Sequence, residues 1–482
     1  MNSVITAIKR HRLTAMDLTT GKPLKRMLVF MVPMIIGFFF QQLYSIVDTM
    51  IVGQALGANA LSGVGSTGSF SFMILGFVSG ITSGFSIIVS QRKGAHDEVG
   101  MRKAFASSIV LTLVIISALT AIAVPVTTPM LTAMKTKPEF LPYAVDYITV
   151  IFGGMLLSAL YNLFASTLRA IGDSVMPLMF LIGACFLNAG MDCLFVISFD
   201  MGVRGAAIAT VFSNGISAVL TFIYLWVKYP QLRFGAAYIK PDLKQYGKQL
   251  GLGIPMALQM SVISIGMLFC QSALNTMASE AVTAYVAASK IDNMATGIIG
   301  SSTSAFSSFI GQNYGAKRFD RIRTGVKQFM LFLLCVSAVM TCFVLTLYRP
   351  LIGIFISDND LTEVLLDYAF KYLLLNASFY SLLVVLYIFR SALQGMGRGT
   401  FALFAAASEV IMRVTTSLVA MHFQSFELVY LNNALSWLGA DLFLAPAFIA
   451  TLRKYIPLFK GKDIKYYRLP NPSVNPYYSE SN

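Results

Sequence analysis

Two carboxylates, Asp48 and Asp192, stand inside otherwise apolar stretches of this chain. On insertion scales, a charged side chain at the centre of a membrane helix costs roughly 2.5–3.5 kcal/mol. Such acids face protein or a water-filled cavity, and their default role is functional. Gln41, Ser45 and Asp48 share one helical stripe, and Asn188 and Asp192, four residues apart, share another. Thr210, Asn214 and Ser217 form a third. Two acids held close in a low dielectric cannot both stay ionised cheaply, which would make the pair a proton acceptor. Two carboxylates with amide and hydroxyl oxygens suit a hard monovalent cation such as Na⁺ equally well. The expected coupling pocket is therefore Asp48, Asn188, Asp192 and Thr210, holding H⁺ or Na⁺. Its bland rival is a set of hydrogen-bonded packing residues.

These side chains need helices to carry them, and composition says which kind. The chain has 482 residues, 56% hydrophobic and only 12% charged, with a mean hydropathy of +0.70. A soluble domain carries about 25% charged residues, so this is a polytopic membrane protein. Five Cys lie scattered through apolar runs, and three His (His11, His96, His422) sit apart in tail or loop positions. Neither set has metal-ligand or disulfide spacing, so metalloenzyme, redox and stapled secreted folds are excluded.

Twelve apolar runs are long enough to span a bilayer. They are 27–52, 59–90, 104–134, 139–168, 174–199, 203–227, 249–278, 280–311, 326–356, 363–393, 400–423 and 427–452. Strand alternation is absent from them, which excludes a β-barrel. The first run is too long for a signal-peptide core and is expected to stay as a spanning helix. With both termini cytoplasmic, most of the 36 Lys and Arg fall on inner segments, from Lys9, Arg10 and Arg12 to the C-terminal tail. Only Lys135, Lys137, Arg204 and Arg349 fall on outer ones. The net charge of +14 is thereby topology rather than nucleic-acid binding. The division expected is a tail over 1–26, an N-lobe over 27–227, an inner loop over 228–248, a C-lobe over 249–452 and a tail over 453–482. Measured from the run ends at about 1.5 Å per residue, Asp48, Asp192 and Thr210 lie within roughly 6–11 Å of the outer boundary.

The second half repeats the first. At an offset of 221, Ala60 meets Ala281, Gln91 meets Gln312 and Gly94 meets Gly315; at 225, Leu168–Gly172 meets Leu393–Gly397. Each half has an even number of spans, so the repeats are parallel. The fold expected is all-α, with twelve transmembrane helices in two parallel-repeat six-helix bundles around a central cleft, the architecture of a rocking transporter. Pore loops that would suit a channel are not evident. Nor is there a phosphate loop with a Walker lysine, so ATP does not drive it directly.

Val47-Asp48-Thr49 with Gly53 and Gly57, Arg169-Ala170-Ile171-Gly172-Asp173 with Pro177, Asn188…Asp192, and Gly202–Thr210 occur in order along the first half. In this the chain resembles the multidrug and toxic compound extrusion (MATE) transporters, from about Pro33 to the twelfth helix. The resemblance implies a cation-coupled antiporter that exports organic drugs or toxic compounds by alternating access, not an enzyme, with no cofactor beyond the coupling ion. It implies that Pro33 marks a bend in the first helix during the cycle. It also implies a small cationic or amphipathic substrate, a monomer in a bacterial inner membrane, and no nucleic acid. The rival is a flippase for a lipid-linked oligosaccharide or peptidoglycan precursor, which would favour a strongly basic cavity. A membrane enzyme acting on lipids would need a catalytic cluster that His96 and His422, on opposite faces, do not make. Candidate cavity residues are Gln41, Tyr44, Asn214, Gln259, Glu409 and Arg413. Glu409 and Arg413 are spaced in the order that favours an ion pair. The stretch around Ile263 lacks the glutamate that some members carry there, so a cation site in the second lobe is not expected.

Overall fold

The computed structural model describes residues 15–134, 136–239, 242–356 and 361–455. Lys9, Arg10, His11, Arg12, Lys135, Lys240 and the tail beyond Tyr455 lie outside the described residues. The described part is helical, without strands. The helices are α1 (Pro23–Ser66), α2 (Gly68–Gly94), α3 (Glu98–Ala133), α4 (Leu141–Gly153), α5 (Met155–Ile171), α6 (Val175–Asp192) and α7 (Gly202–Lys228). The second half continues with α8 (Leu243–Leu274), α9 (Ser279–Gly315), α10 (Phe319–Thr346), α11 (Tyr348–Gly353), α12 (Glu363–Ala377), α13 (Tyr380–Gly395), α14 (Gly399–Phe423) and α15 (Phe426–Tyr455). Acidic and hydroxyl caps start several of them. Asp97 accepts from Gly100 N at 2.8 Å, Asp242 from Gln245 N at 3.0 Å and Thr362 from Leu365 N at 3.2 Å.

Among the described residues nine single helices and two bent pairs are long and apolar enough to cross a membrane, and α9 (Ser279–Gly315), too polar to be read that way by hydropathy, lies where the eighth span was expected. The fourth span is two helices, α4 and α5, bent by 51°, and the tenth is α12 and α13, bent by 41°. Each break keeps its apolar composition, so hydropathy reads straight through it. The first span ends a few residues later than 52: α1 is broken by a kink at Gly57 (φ 83°), and a second helical stretch continues from there to Ser66. Pro33 sits within α1 without a break in helical dihedrals. Asp48 lies nine residues before the Gly57 kink, on the part of α1 that begins at Pro23. Large apolar side chains such as Phe186, Ile354 and Leu442 are among the most exposed residues, as a lipid-facing surface requires.

The α1 helix belongs to both halves. Met27, Phe30 and Met31 are buried in the core built by α9, α10 and α12 to α15, whereas further along Val52 packs with Val196, Val203 and Ala206. The two halves also meet directly at the end of the molecule where residues 16–21 lead into α1. Gln91 Nε2 donates to Gly395 O at 2.8 Å, and Gln312 Nε2 donates to Ala170 O at 2.9 Å. These are repeat-related pairs, so one interaction is made twice, once from each lobe. A Cβ on Gly94 would fall on the backbone of Gln312, and one on Gly315 on the backbone of Gln91, so only glycine allows the approach. Nearer the middle, a Cβ on Gly84 would lie 2.6 Å from Gly253 Cα.

A strap formed by residues 16–21 crosses this seam. Met16 N donates to Gly172 O at 2.9 Å on the first half. On the second half, Leu18 N donates to Gln312 Oε1 at 3.0 Å. Arg321 there donates to the carbonyls of Leu18, Thr20 and Gly21 at 2.6–3.2 Å.

Gly94→Val forces the seam apart at its tightest point. In a cysteine-free background, a Ser307→Cys thiol is then expected to react with a polar maleimide about tenfold faster, the effect of shifting the closed state by roughly 1.4 kcal/mol. An unchanged labelling rate would show that the seam does not guard the interior.

Candidate coupling site and central cavity

Four elements converge in the first half. α1 brings Tyr44 and Asp48, α6 brings Asn188 and Asp192 on its last turns, α7 brings Thr210, and α4 brings Tyr147. The carboxyls of Asp48 and Asp192 lie close to each other. Two acids this near in a low dielectric cannot both stay ionised cheaply, so the pair favours a positive occupant. With its amide turned to satisfy both sides, Asn188 Nδ2 donates to Asp192 Oδ2 at 2.8 Å and Asn188 Oδ1 accepts from Thr210 N at 3.1 Å. Tyr44 Oη lies 3.1 Å from Thr210 Oγ1. Tyr147 is near enough to interact electrostatically with Tyr44 and both acids.

The four residues expected in a coupling pocket are thus brought together, and Tyr44 joins them rather than the cavity for which it was read. Asp192 and Asn188 are buried and Asp48 is half-buried. Beyond Asp192 the helix widens into a π turn, Cys193–Ser198, a distortion common at functional sites. One oxygen on each acid, Asp48 Oδ1 and Asp192 Oδ1, is buried without a hydrogen-bond partner. Orphaned carboxylate oxygens beside phenol, hydroxyl and amide oxygens form a donor set that fits a proton or a small hard cation. Among the described residues, no group of three or more His, Cys, Asp or Glu could hold a metal ion.

Between the lobes lies a cavity of about 260 Å³, walled by α2, α5, α8, α9 and α13. Of the six residues expected in a substrate cavity, Gln259 lines it, accepting from Gln394 Nε2 at 2.9 Å. Gln41 is exposed elsewhere on α1, and Asn214 donates to Ser158 Oγ at 3.1 Å.

The expected Glu409–Arg413 pair does not form. Glu409 instead pairs with Arg390 of α13, and Arg413 Nη1 donates to Asn433 Oδ1 at 2.7 Å and to Asn432 Oδ1 at 3.5 Å. Spacing along one helix allows the contact, but both side chains point inward, where another helix supplies a partner. Asp292 of α9, which the sequence left open between a buried structural role and substrate contact, accepts from Tyr380 at 2.7 Å and Tyr372 at 3.4 Å. Asp441, not singled out from the sequence, is buried with neither oxygen partnered. An acid between Leu438 and Leu444 was the available signal for Asp441.

The MatE family profile matches this chain twice, over residues 33–194 and 255–419. A probable multidrug resistance protein of Bacillus subtilis, YpnP, is 29% identical over 80% of this chain and 85% of its own length. A second from the same organism, YoeA, is 25% identical over 70% of this chain and 74% of its own. Among solved structures, an outward-facing multidrug resistance MATE transporter of the MOP superfamily superposes with a TM-score of 0.84. It is 22% identical and covers 92% of this chain and 99% of its own.

Replacing Arg390 by Gln strands a buried Glu409. This is expected to destabilise the fold by about 3–5 kcal/mol, visible as a lower melting temperature in detergent. Arg390→Leu combined with Glu409→Leu should recover most of the loss. A double variant as unstable as the single one would show that the pair is not what the site depends on.

Proposed function

The chain belongs to the MATE family of multidrug efflux transporters, and from that premise we propose a secondary antiporter that expels small organic compounds in exchange for H⁺ or Na⁺. The supporting observation is the close pair of Asp48 and Asp192, with an orphaned oxygen on each. When both are ionised the site holds two facing anions. Their repulsion is relieved by a new proton, by Na⁺, or by parting of the helices that carry them. Parting of α1 from α6 would be felt in the other lobe, because Met27, Phe30 and Met31 of the same helix are buried there. Pro33 lies between those two anchors and is the place in α1 where a backbone hydrogen bond is already missing. Occupancy of the acid pair thereby biases which way the lobes tilt. By linkage, a compound that favours the opposite tilt and the ion must weaken each other's binding. The lobes would divide as 27–227 and 249–452, in a monomer with both termini on the cytoplasmic side of a bacterial inner membrane.

A second reading, flipping of a lipid-linked precursor, has one observation in its favour: two arginines and no acid line the central cavity. The acid pair in the first lobe supports the antiporter more strongly, since a passive flippase has no need of it.

The test is uptake into proteoliposomes of ethidium and, separately, radiolabelled phenyl phosphate, under an imposed pH or Na⁺ gradient. One gradient should drive uptake of at least one compound. Asp48→Asn should abolish that uptake while melting temperature and elution profile stay unchanged. Full driven uptake by the variant removes Asp48 from coupling. No uptake of either compound under either gradient overturns the antiporter.

A further inference from the structure

We propose that the cavity between the lobes is built for the anionic group, a phosphate or a carboxylate, of an organic substrate. The proposal rests on the reading of this chain as an exporter and names the charge of what it exports. A cavity for organic cations needs a carboxylate or an aromatic cage in its wall. This wall has neither: it holds no Asp or Glu, and Tyr387 is its one aromatic residue. What it does hold are the guanidiniums of Arg169 and Arg390, nine serines, a threonine and two glutamines.

The two arginines differ in a way that points to a ligand. Arg390 is balanced by Glu409, which sits behind it and outside the wall, yet its Nε is buried without a partner. Arg169 has no carboxylate among the described residues. Its Nη2 donates to Ser166 Oγ at 2.8 Å, one turn back on α5. The C-terminal dipole of α5 offsets part of its charge. A part-buried guanidinium in the wall of a polar cavity otherwise lacks the counter-charge that such groups require. Its planar fork matches a phosphate or carboxylate, and hydroxyl-bearing neighbours can donate to the remaining oxygens. Ser166 and Arg169 belong to one lobe and Arg390 and Gln394 to the other, so an anion held here would bridge the lobes.

The expectation of a cationic substrate therefore has no support in the cavity wall. The buried acids of this molecule lie outside the wall, among them Asp48 and Asp192 in the first lobe, Glu409 behind Arg390 and Asp292 between two tyrosines. A soluble organic anion and an anionic lipid headgroup share the chemistry proposed.

Full-length protein in phosphatidylcholine nanodiscs can be dialysed to equilibrium against radiolabelled phenyl phosphate and, separately, phenyltrimethylammonium, which present one ring with opposite charges. Phenyl phosphate should bind and the ammonium should not. Arg169→Gln should weaken phosphate binding about tenfold or more, the usual effect of losing a charge-assisted hydrogen bond. Ser83→Asp, which keeps both guanidiniums but adds a carboxylate to the wall, should do the same with an unchanged melting temperature. Displacement of the probe when phosphatidylglycerol is mixed into the nanodisc would support a headgroup as the natural anion, and retention would support a soluble one. Absence of phosphate binding, ammonium binding of equal strength, or phosphate affinity unaffected by both substitutions overturns the proposal. Phosphate that binds but never crosses proteoliposomes under either gradient strikes the exporter reading and leaves the cavity assignment standing.

Discussion

The two halves of this molecule touch backbone to backbone, and that approach governs what the interior can be. Gly94 lies against Gln312 and Gly315 against Gln91, with no room for a side chain at either glycine. Around this crossing the two glutamines exchange equivalent hydrogen bonds with Ala170 O and Gly395 O. The cavity begins just inside the seam, where Ser90, Arg169, Ala170 and Gln394 form part of its wall. A contact duplicated by internal symmetry can be broken as one unit. A two-state closure needs that property, in contrast to a gradual loosening.

Charge is segregated in a complementary way. Acids that fit a cation sit within the first bundle, whereas guanidiniums sit between the bundles. The two regions have no ion pair in common. One element reaches both: α1 carries Asp48 at one level and packs Phe30 into the opposite core at another. Under the proposed antiport, ion and cargo would not need to compete for one set of ligands, since each could favour a different orientation of the lobes.

Much of this was legible before any coordinates. An acid in an apolar run has few tolerable environments, so Asp48 and Asp192 stood out by type, and Asn188 by its four-residue spacing from Asp192. The repeat offsets that pair Gln91 with Gln312 and Ala170 with Gly395 carried the seam, although nothing in them said that the paired residues touch across it. Other features were hidden for physical reasons. Gly57 does break the first helix, but the short helical stretch that follows it to Ser66 was not separable from the second span by composition. The bends after Gly153 and Ala377 leave composition unchanged, and hydropathy averages over direction. Glu409 was matched to Arg413 because periodicity sees one helix at a time, and its true partner is nineteen positions away on another. The same blindness concealed the tyrosines that hold Asp292.

The strap ahead of α1 lies outside the helices themselves. Met16 holds one bundle while Leu18, Thr20 and Gly21 are gathered by Arg321 of the other. Any separation of the bundles on this side must therefore break one set of these bonds or carry the strap along, so a short segment adds a latch to a boundary that the helices alone would close by packing.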